Sequence, residues 1–419
     1  MKTYLHPASI LLPDFTRVSG TKWASVACDQ YTSQKDYWER AYDFAKGSPS
    51  TLNLMLPEAF LDEEEARIPA INEAMRQYLR DVLIEHENSM IYLERTQSDG
   101  KVRRGLIGAV DLEEYEYHKG SETLIRATEG TVLERIPPRV AIRRKAAIEM
   151  PHIMILIDDP DKTVIEPLSA KASQYRQAYD FDLMAGGGHV TGYFVDTLDF
   201  ASVNKALGDL ADASLTEKKY HVKAPSLLFA MGDGNHSLAT AKALYEEIKD
   251  EIGREAALAH PARYALCEVV NLHDPALEFE PIYRVVFGVE PVAFTAELEA
   301  YLTSLQGEAE QQSIEVIAGG DCKTLTVKHP VAQLAVGTVQ NFLDEYVKAH
   351  PEASVDYIHG VEVTKALANE KNTVGILFDG MTKDMLFKTV ICDGALPRKT
   401  FSMGHAEDKR FYIECRRIR

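Results

Sequence analysis

Leu227–Met231 is an unbroken apolar run that stops at Gly232-Asp233-Gly234, and from Asn235 the pattern switches to helical spacing, with Leu238, Ala241, Tyr245 and Ile248 on one face. A strand that turns through glycines straight into an amphipathic helix is a building step of mixed α/β folds. The turn leaves the first N–H groups of the helix without intrahelical partners, where the helix dipole favours negative charge. Glycine lets a phosphate approach the main chain there. The junction is therefore the first candidate site. Gly232, Gly234, Asn235 and Ser237 are candidate phosphate or ligand contacts, Asp233 a proton acceptor or Mg²⁺ ligand, and His236 a phosphate contact or proton relay. The same string also reads as a tight turn in which Asp233 and Asn235 cap the helix.

The rest of the chain alternates in the same way. Asp62 to Asn88 has helical spacing, and Met90–Arg95 and Arg104–Leu112 read as strands around the Ser98-Asp99-Gly100 turn. A basic helix is expected from Pro137-Pro138 to Met150, a strand over His152–Ile157 and a helix over Pro167–Met184. Gly186-Gly187-Gly188 reads as a flexible connection or a phosphate cradle, and Asp158, Asp159 and Asp161 as a solvated turn or an Mg²⁺ site. Strand His189–Val195 and helix Ser202–Leu210 follow. The pattern resets past Arg284, so residues 1–290 and 291–419 are expected as two regions, the second a smaller α/β region docked on the first.

Composition narrows the function. The formal charge of −18 repels nucleic-acid phosphates, so a nucleic-acid partner is not expected, although a small anion in a local pocket is compatible with it. Cys28, Cys267, Cys322, Cys392 and Cys415 form no Cys-x-x-Cys pair, and no stretch of about eighteen apolar residues occurs. With no apolar leader at the start, these features lead to the expectation of a cytoplasmic protein without a membrane span.

The chain resembles domain-of-unknown-function family 1015, marked by an Asp-Gly-His-His-Arg string at a strand-to-helix junction, which is similar to a string of the ParB/sulfiredoxin-like superfamily. Nearly the whole chain takes part. Ala27-Cys28-Asp29 falls on an early Pro-Tyr-Asp, and Gly105-Leu106-Ile107 through Val110–Tyr115 on a hairpin strand. Glu129-Gly130-Thr131 falls on His-Glu-x-Thr, Asp274–Leu277 with Pro281–Arg284 on Pro-Thr-His-Arg, and Leu396–Phe401 on Met-Pro-Gln-Lys-Ser-Thr. The departures are Asn235 for the first histidine and Ser237 for the arginine, which contacts nucleotide phosphate in superfamily relatives. A hydroxyl bonds a phosphate oxygen but brings no charge, so another cation must compensate.

The resemblance implies a mixed α/β nucleotide-binding core that uses Mg²⁺ with ATP or ADP, and a small anionic metabolite or nucleotide as partner. It implies phosphoryl transfer or hydrolysis on a small hydroxylated metabolite, with serine or phosphoserine the specific guess; a phosphatase would use the same parts with water as acceptor. Glu129 is then the candidate general base, with an exposed loop carboxylate as its bland reading and Asp29 as a weaker candidate. Arg126, Arg284, Arg398 and Lys399 are the candidate compensating cations. Arg139, Arg143, Arg144 and Lys145 form a second basic patch that also reads as a solvated helix face. The alternative is a non-catalytic nucleotide-binding switch of the partition-protein type.

Overall fold

Strands Ile91–Thr96 and Val102–Asp111 pair antiparallel, Ile91 opposite Ile107 and Thr96 opposite Val102. The turn between them is the expected one: the Gly100 amide bonds the Gln97 carbonyl at 3.0 Å, and Asp99 accepts from the Lys101 amide at 2.9 Å. In the computed structural model, which describes residues 2–130 and 136–419, this hairpin forms the middle of a mixed nine-stranded sheet. Its strand order is Arg176–Asp182, His189–Phe194, Ile91–Thr96, Val102–Asp111, Tyr264–Asn271, Met154–Ile157, Phe229–Asp233, Ile125–Arg126 and Tyr115–Glu116.

Strand periodicity sorts the core onto the two faces. Ile91, Leu93, Ile107, Ala109 and Leu266 join one buried cluster with Trp23, Trp38 and Phe411. Tyr92, Leu106, Val110, Ala265, Cys267 and Ile155 join another with Leu238, Tyr245 and Leu207 from the covering helices. Both faces of the central strands are covered, so strands such as Tyr264–Asn271 are buried along nearly their whole length.

This sheet belongs to a unit made of residues up to Leu277 together with His405–Arg419; Glu278–Gly404 forms a second unit. The division differs from the expected boundary at residue 290. Strand Phe279–Phe287 is a member of the second unit's sheet, pairing with Ser354–His359 and Thr373–Phe378, while the chain end returns to the first unit.

Three helix expectations also change. The helix begun near Asp62 runs over Glu64–Asp81, and Leu83–Ser89 is a strand on Ala8–Pro13. The basic helix spans Ile136–Arg143 and gives way to strand Ile148–Glu149. Of Pro167–Met184, only the turn Glu166–Ser169 is α-helical, and Arg176–Asp182 is an edge strand on His189–Phe194. Gly186–Gly188 accordingly closes a hairpin and is no phosphate cradle. Gly188 has φ of 80°, and a Cβ there would lie 2.0 Å from the Thr96 carbonyl oxygen. No helix among the described residues is long and apolar enough to cross a membrane.

Candidate functional site

The strand and helix of the junction form as expected, Phe229–Asp233 followed by Asn235–Ile252, with Gly234 as the residue between them. Gly234 has φ of 79°, and a Cβ would lie 3.0 Å from the Ile153 Cα, so both backbone conformation and space require glycine. The first helical bond is that from the Leu238 amide to the Gly234 carbonyl, 3.0 Å. The amides of Asn235, His236 and Ser237 lie ahead of that ladder, and Gly234 at the cap position has no side chain to bond them. The capping alternative is thus not realised. Asp233 Oδ1 accepts from the Gly234 amide at 2.8 Å, and Asn235 Oδ1 accepts from the Thr128 amide at 3.3 Å. Gly232, Asp233, Asn235, His236 and Ser237 are all half-buried, leaving the helix start in contact with solvent.

Two distant segments reach this helix start. Strand Met154–Ile157 pairs beside the junction with Met154 opposite Asp233, and so places His152 there; Nε2 of His152 lies 3.4 Å from Ser237 Oγ. Ser25–Val26 pairs with Phe411–Tyr412, and the Ala27 amide bonds the Arg410 carbonyl at 3.1 Å. This pairing brings Asp29 and Lys409 to one place. Lys409 Nζ is 3.2 Å from Asp233 Oδ2, and Asp29 Oδ2 is 3.6 Å from His152 Nε2. On the other side of the imidazole, Nδ1 meets the Tyr412 hydroxyl at 2.8 Å, and that hydroxyl also accepts from the Cys28 amide at 3.2 Å. Arg410 donates to the Pro151 carbonyl at 2.6 Å, fixing the backbone just ahead of His152.

Charge sets the protonation states. Burial would push the Asp29 carboxyl up, but the His152 imidazolium, the Gln30 amide and Lys409 outweigh it and hold the group well below the usual carboxylate range. Burial would lower His152, yet the Asp29 charge, aided by Asp233, raises it above its ordinary value. The site therefore keeps Asp29 ionised and favours the protonated His152, with the Asp233–Lys409 ion pair beside them. Burial and the Asp29 charge push the Cys28 thiol up to about 12, so Cys28 is no thiolate nucleophile.

The raised His152 contributes stability that is complete below its unfolded value near 6.5 and is lost as pH rises through its folded value. The depressed Asp29 contributes stability that is complete above its unfolded value near 3.8 and is lost as pH falls through its lower folded value. Wild-type protein should therefore gain most over His152→Gln between these two unfolded values, with the gap closing as pH rises through the folded His152 value. Thermal melts of both proteins from pH 4 to 9 measure this, and a pH-independent gap would refute the ion pair.

The other expected residues divide. Glu129 is half-buried beside Thr128, whose amide bonds Asn235 and whose hydroxyl bonds the Met231 carbonyl at 2.8 Å; its motif neighbour Thr131 lies outside the described residues. Arg126 is only 4 % exposed and donates to the carbonyls of Thr123, Pro225 and Ser226, so it clamps loops and presents no cation. Arg284 is fully buried in the second unit, bonded to Gln340 and to the carbonyls of Ile282, Arg398 and Lys399, and supports the fold there. Arg398 and Lys399 stay exposed in that unit, Arg398 paired with Asp344 at 3.0 Å.

Arg139, Arg143 and Arg144 are neutralised by Glu58, Glu149 and Glu247. Asp158 pairs with His273 and Lys219, and Asp159 holds the Thr163 and Val164 amides, so neither serves Mg²⁺. Among the described residues no three or more His, Cys, Asp or Glu side chains gather as a metal site. Asp233 fits one of the one or two carboxylates that Mg²⁺ takes alongside phosphates. His152 and Lys409 had no sequence signal, because each reaches the junction through strand pairing with a remote segment.

Fold and junction define a mixed α/β protein of two units, the larger with an uncapped helix start ringed by paired charges. The chain belongs to the family described as "Protein of unknown function (DUF1015)", whose model matches residues 14–346. No curated protein matches it. Among solved structures, it is similar to a conserved hypothetical protein from Pyrococcus furiosus at 12% identity and TM-score 0.34, covering 73% of this chain and 91% of that one. It is also similar to a free serine kinase in complex with AMP, at 10% identity and TM-score 0.37, covering 75% of this chain and 92% of that one. A mutant of a free serine kinase in complex with ADP matches at 9% identity and TM-score 0.38, with the same coverage. Likeness at these scores assigns no ligand to this chain.

Proposed function

We propose that the Gly232–Ser237 junction holds the phosphates of ATP or ADP, in a ParB/sulfiredoxin-like core, and that the protein moves a phosphoryl group onto or off a small hydroxylated metabolite. The observation that carries this reading is Lys409, 3.2 Å from Asp233 at the uncapped helix start. It supplies the charge that Ser237 lacks where the family string has arginine.

Phosphoryl transfer needs positioning and charge neutralisation more than covalent help from the protein. The amides of Asn235, His236 and Ser237, the Ser237 hydroxyl, Lys409 and the His152 imidazolium bind phosphate oxygens. Gly232 and Gly234 keep the approach clear, and His236 on the first helical turn offers its ring to the same oxygens. Asp233 would supply a carboxylate to Mg²⁺, which would neutralise charge on the phosphate. Asp29, one-third exposed and kept ionised by His152, and Glu129 orient the acceptor hydroxyl. A bond forms from the acceptor oxygen to phosphorus, the bond from phosphorus to the nucleotide breaks, and a carboxylate takes the hydroxyl proton. Arg126 and Arg284 are dropped from the site, and Arg398 and Lys399, which belong to the second unit, are not placed in it. Serine or phosphoserine is the specific metabolite, on the strength of the sequence resemblance.

The test is to incubate the full chain with Mg²⁺, ATP or ADP, and serine or phosphoserine, and to follow phosphate movement. Transfer or hydrolysis that falls on replacing Asp29 or Lys409 supports the reading. Nucleotide binding with no turnover in any combination would instead support a switch protein, and no binding at all would end both.

A further inference from the structure

Two residues beyond Asp29 the chain passes through Tyr31, whose φ of 50° lies in the left-handed region that bulky residues seldom occupy. The turn is closed by the Gln34 amide on the Tyr31 carbonyl at 3.0 Å. In this conformation the Tyr31 ring lies flat on Tyr37, with centroids 3.8 Å apart and planes at 18°. Tyr37 in turn meets the buried Trp38 edge-on at 5.3 Å. The result is a half-buried ring on a rigid aromatic base, held where solvent reaches it.

Two segments of the candidate site border this ring. Asp29 is two residues away in the chain, a span of at most about 7 Å. Glu407 and Asp408, which lead directly into Lys409, are close enough for their charges to act on the Tyr31 hydroxyl, which burial and these two charges raise above its ordinary value. Acidic neighbours do not suit a phosphate, but they accept a neutral aromatic guest. Stacking on tyrosine is sequence-tolerant because every nucleobase has a π-face.

We propose that Tyr31 is the stacking platform for the base of a nucleoside di- or triphosphate whose phosphates occupy the Gly232–Ser237 junction. The inference rests on the phosphate reading above and adds the nucleoside to it. The base lies against the Tyr31 face turned away from Tyr37, and the platform discriminates little among bases.

Calorimetric titration of the full chain with Mg²⁺-ADP and with Mg²⁺-pyrophosphate separates the two ideas. Wild-type protein should bind ADP more tightly than pyrophosphate. Tyr31→Leu, which keeps apolar bulk and removes the π-face, should weaken ADP roughly 5- to 100-fold while leaving pyrophosphate unchanged. Tyr31→Trp should keep ADP affinity. Equal ADP affinity in Tyr31→Leu, equal loss of both ligands, or ADP no tighter than pyrophosphate in wild type would each overturn the platform and leave the phosphate site standing. Binding of neither ligand by wild type would overturn both.

Discussion

Lys409→Met should weaken phosphate-bearing ligands by roughly 10- to 100-fold, the loss expected when a charge-assisted hydrogen bond of about 1.5–3 kcal/mol is removed. Lys409 is the cation at 3.2 Å from Asp233, and methionine keeps the stem of the side chain while deleting its charge. The variant also leaves Asp233 without its counter-charge, which repels an incoming phosphate further. Folding should survive, because the ammonium group is not part of the buried ion network that anchors its neighbours. Lys409→Arg should restore most of the affinity, since a guanidinium can replace the charge near the same place. Affinity unchanged in Lys409→Met, measured with ADP or pyrophosphate, would place the anion elsewhere.

The residue after it should behave in the opposite way. Arg410→Met is expected to destabilise the first unit by about 3–5 kcal/mol, the usual consequence of removing one partner from a buried ion pair. Arg410 is 4 % exposed, donates to Glu268 at 2.9 Å and to Glu414 at 2.7 Å, and is held charged by both. Glu268 keeps Arg103 at 3.3 Å, and Glu414 keeps the Tyr179 hydroxyl. Neither remaining partner compensates for the lost charge between the two carboxylates. The same substitution frees the Pro151 carbonyl and loosens His152, so ligand affinity should fall along with stability. Denaturant unfolding gives the number, and a shift below 1 kcal/mol would show that the network is dispensable. Adjacent residues, one acting on ligand with the fold intact and the other acting through the fold, make the pair of variants informative together.

What the sequence revealed follows the range over which its signals act. The junction was legible because strand, glycines and helix are consecutive, so periodicity and turn chemistry meet within one window. The hairpin around Asp99-Gly100 was legible for the same reason. Leu83–Ser89 and Arg176–Asp182 were not, because both are mostly polar with few apolar residues to show a strand period, and what makes them strands is a partner on another segment. The unit boundary was displaced for the same cause, since only sheet pairing shows that Phe279–Phe287 belongs with Thr373–Phe378. Within the site, Asp29 was visible through its early motif. His152 is one histidine of thirteen and Lys409 follows two acids near the chain end, and neither has a local pattern. Arg126 and Arg284 illustrate the reverse case, cations in suggestive places that the fold uses to satisfy carbonyls.

The central claim is that the amides at the start of the Asn235–Ile252 helix receive a phosphate. Backbone amide NMR of deuterated wild-type protein, titrated with Mg²⁺-pyrophosphate, tests it most directly. The account predicts saturable shifts of the Asn235, His236 and Ser237 amides, with the midpoint moved to roughly 10- to 100-fold more ligand in Lys409→Met. Saturation that leaves these three amides unmoved while others shift would contradict it.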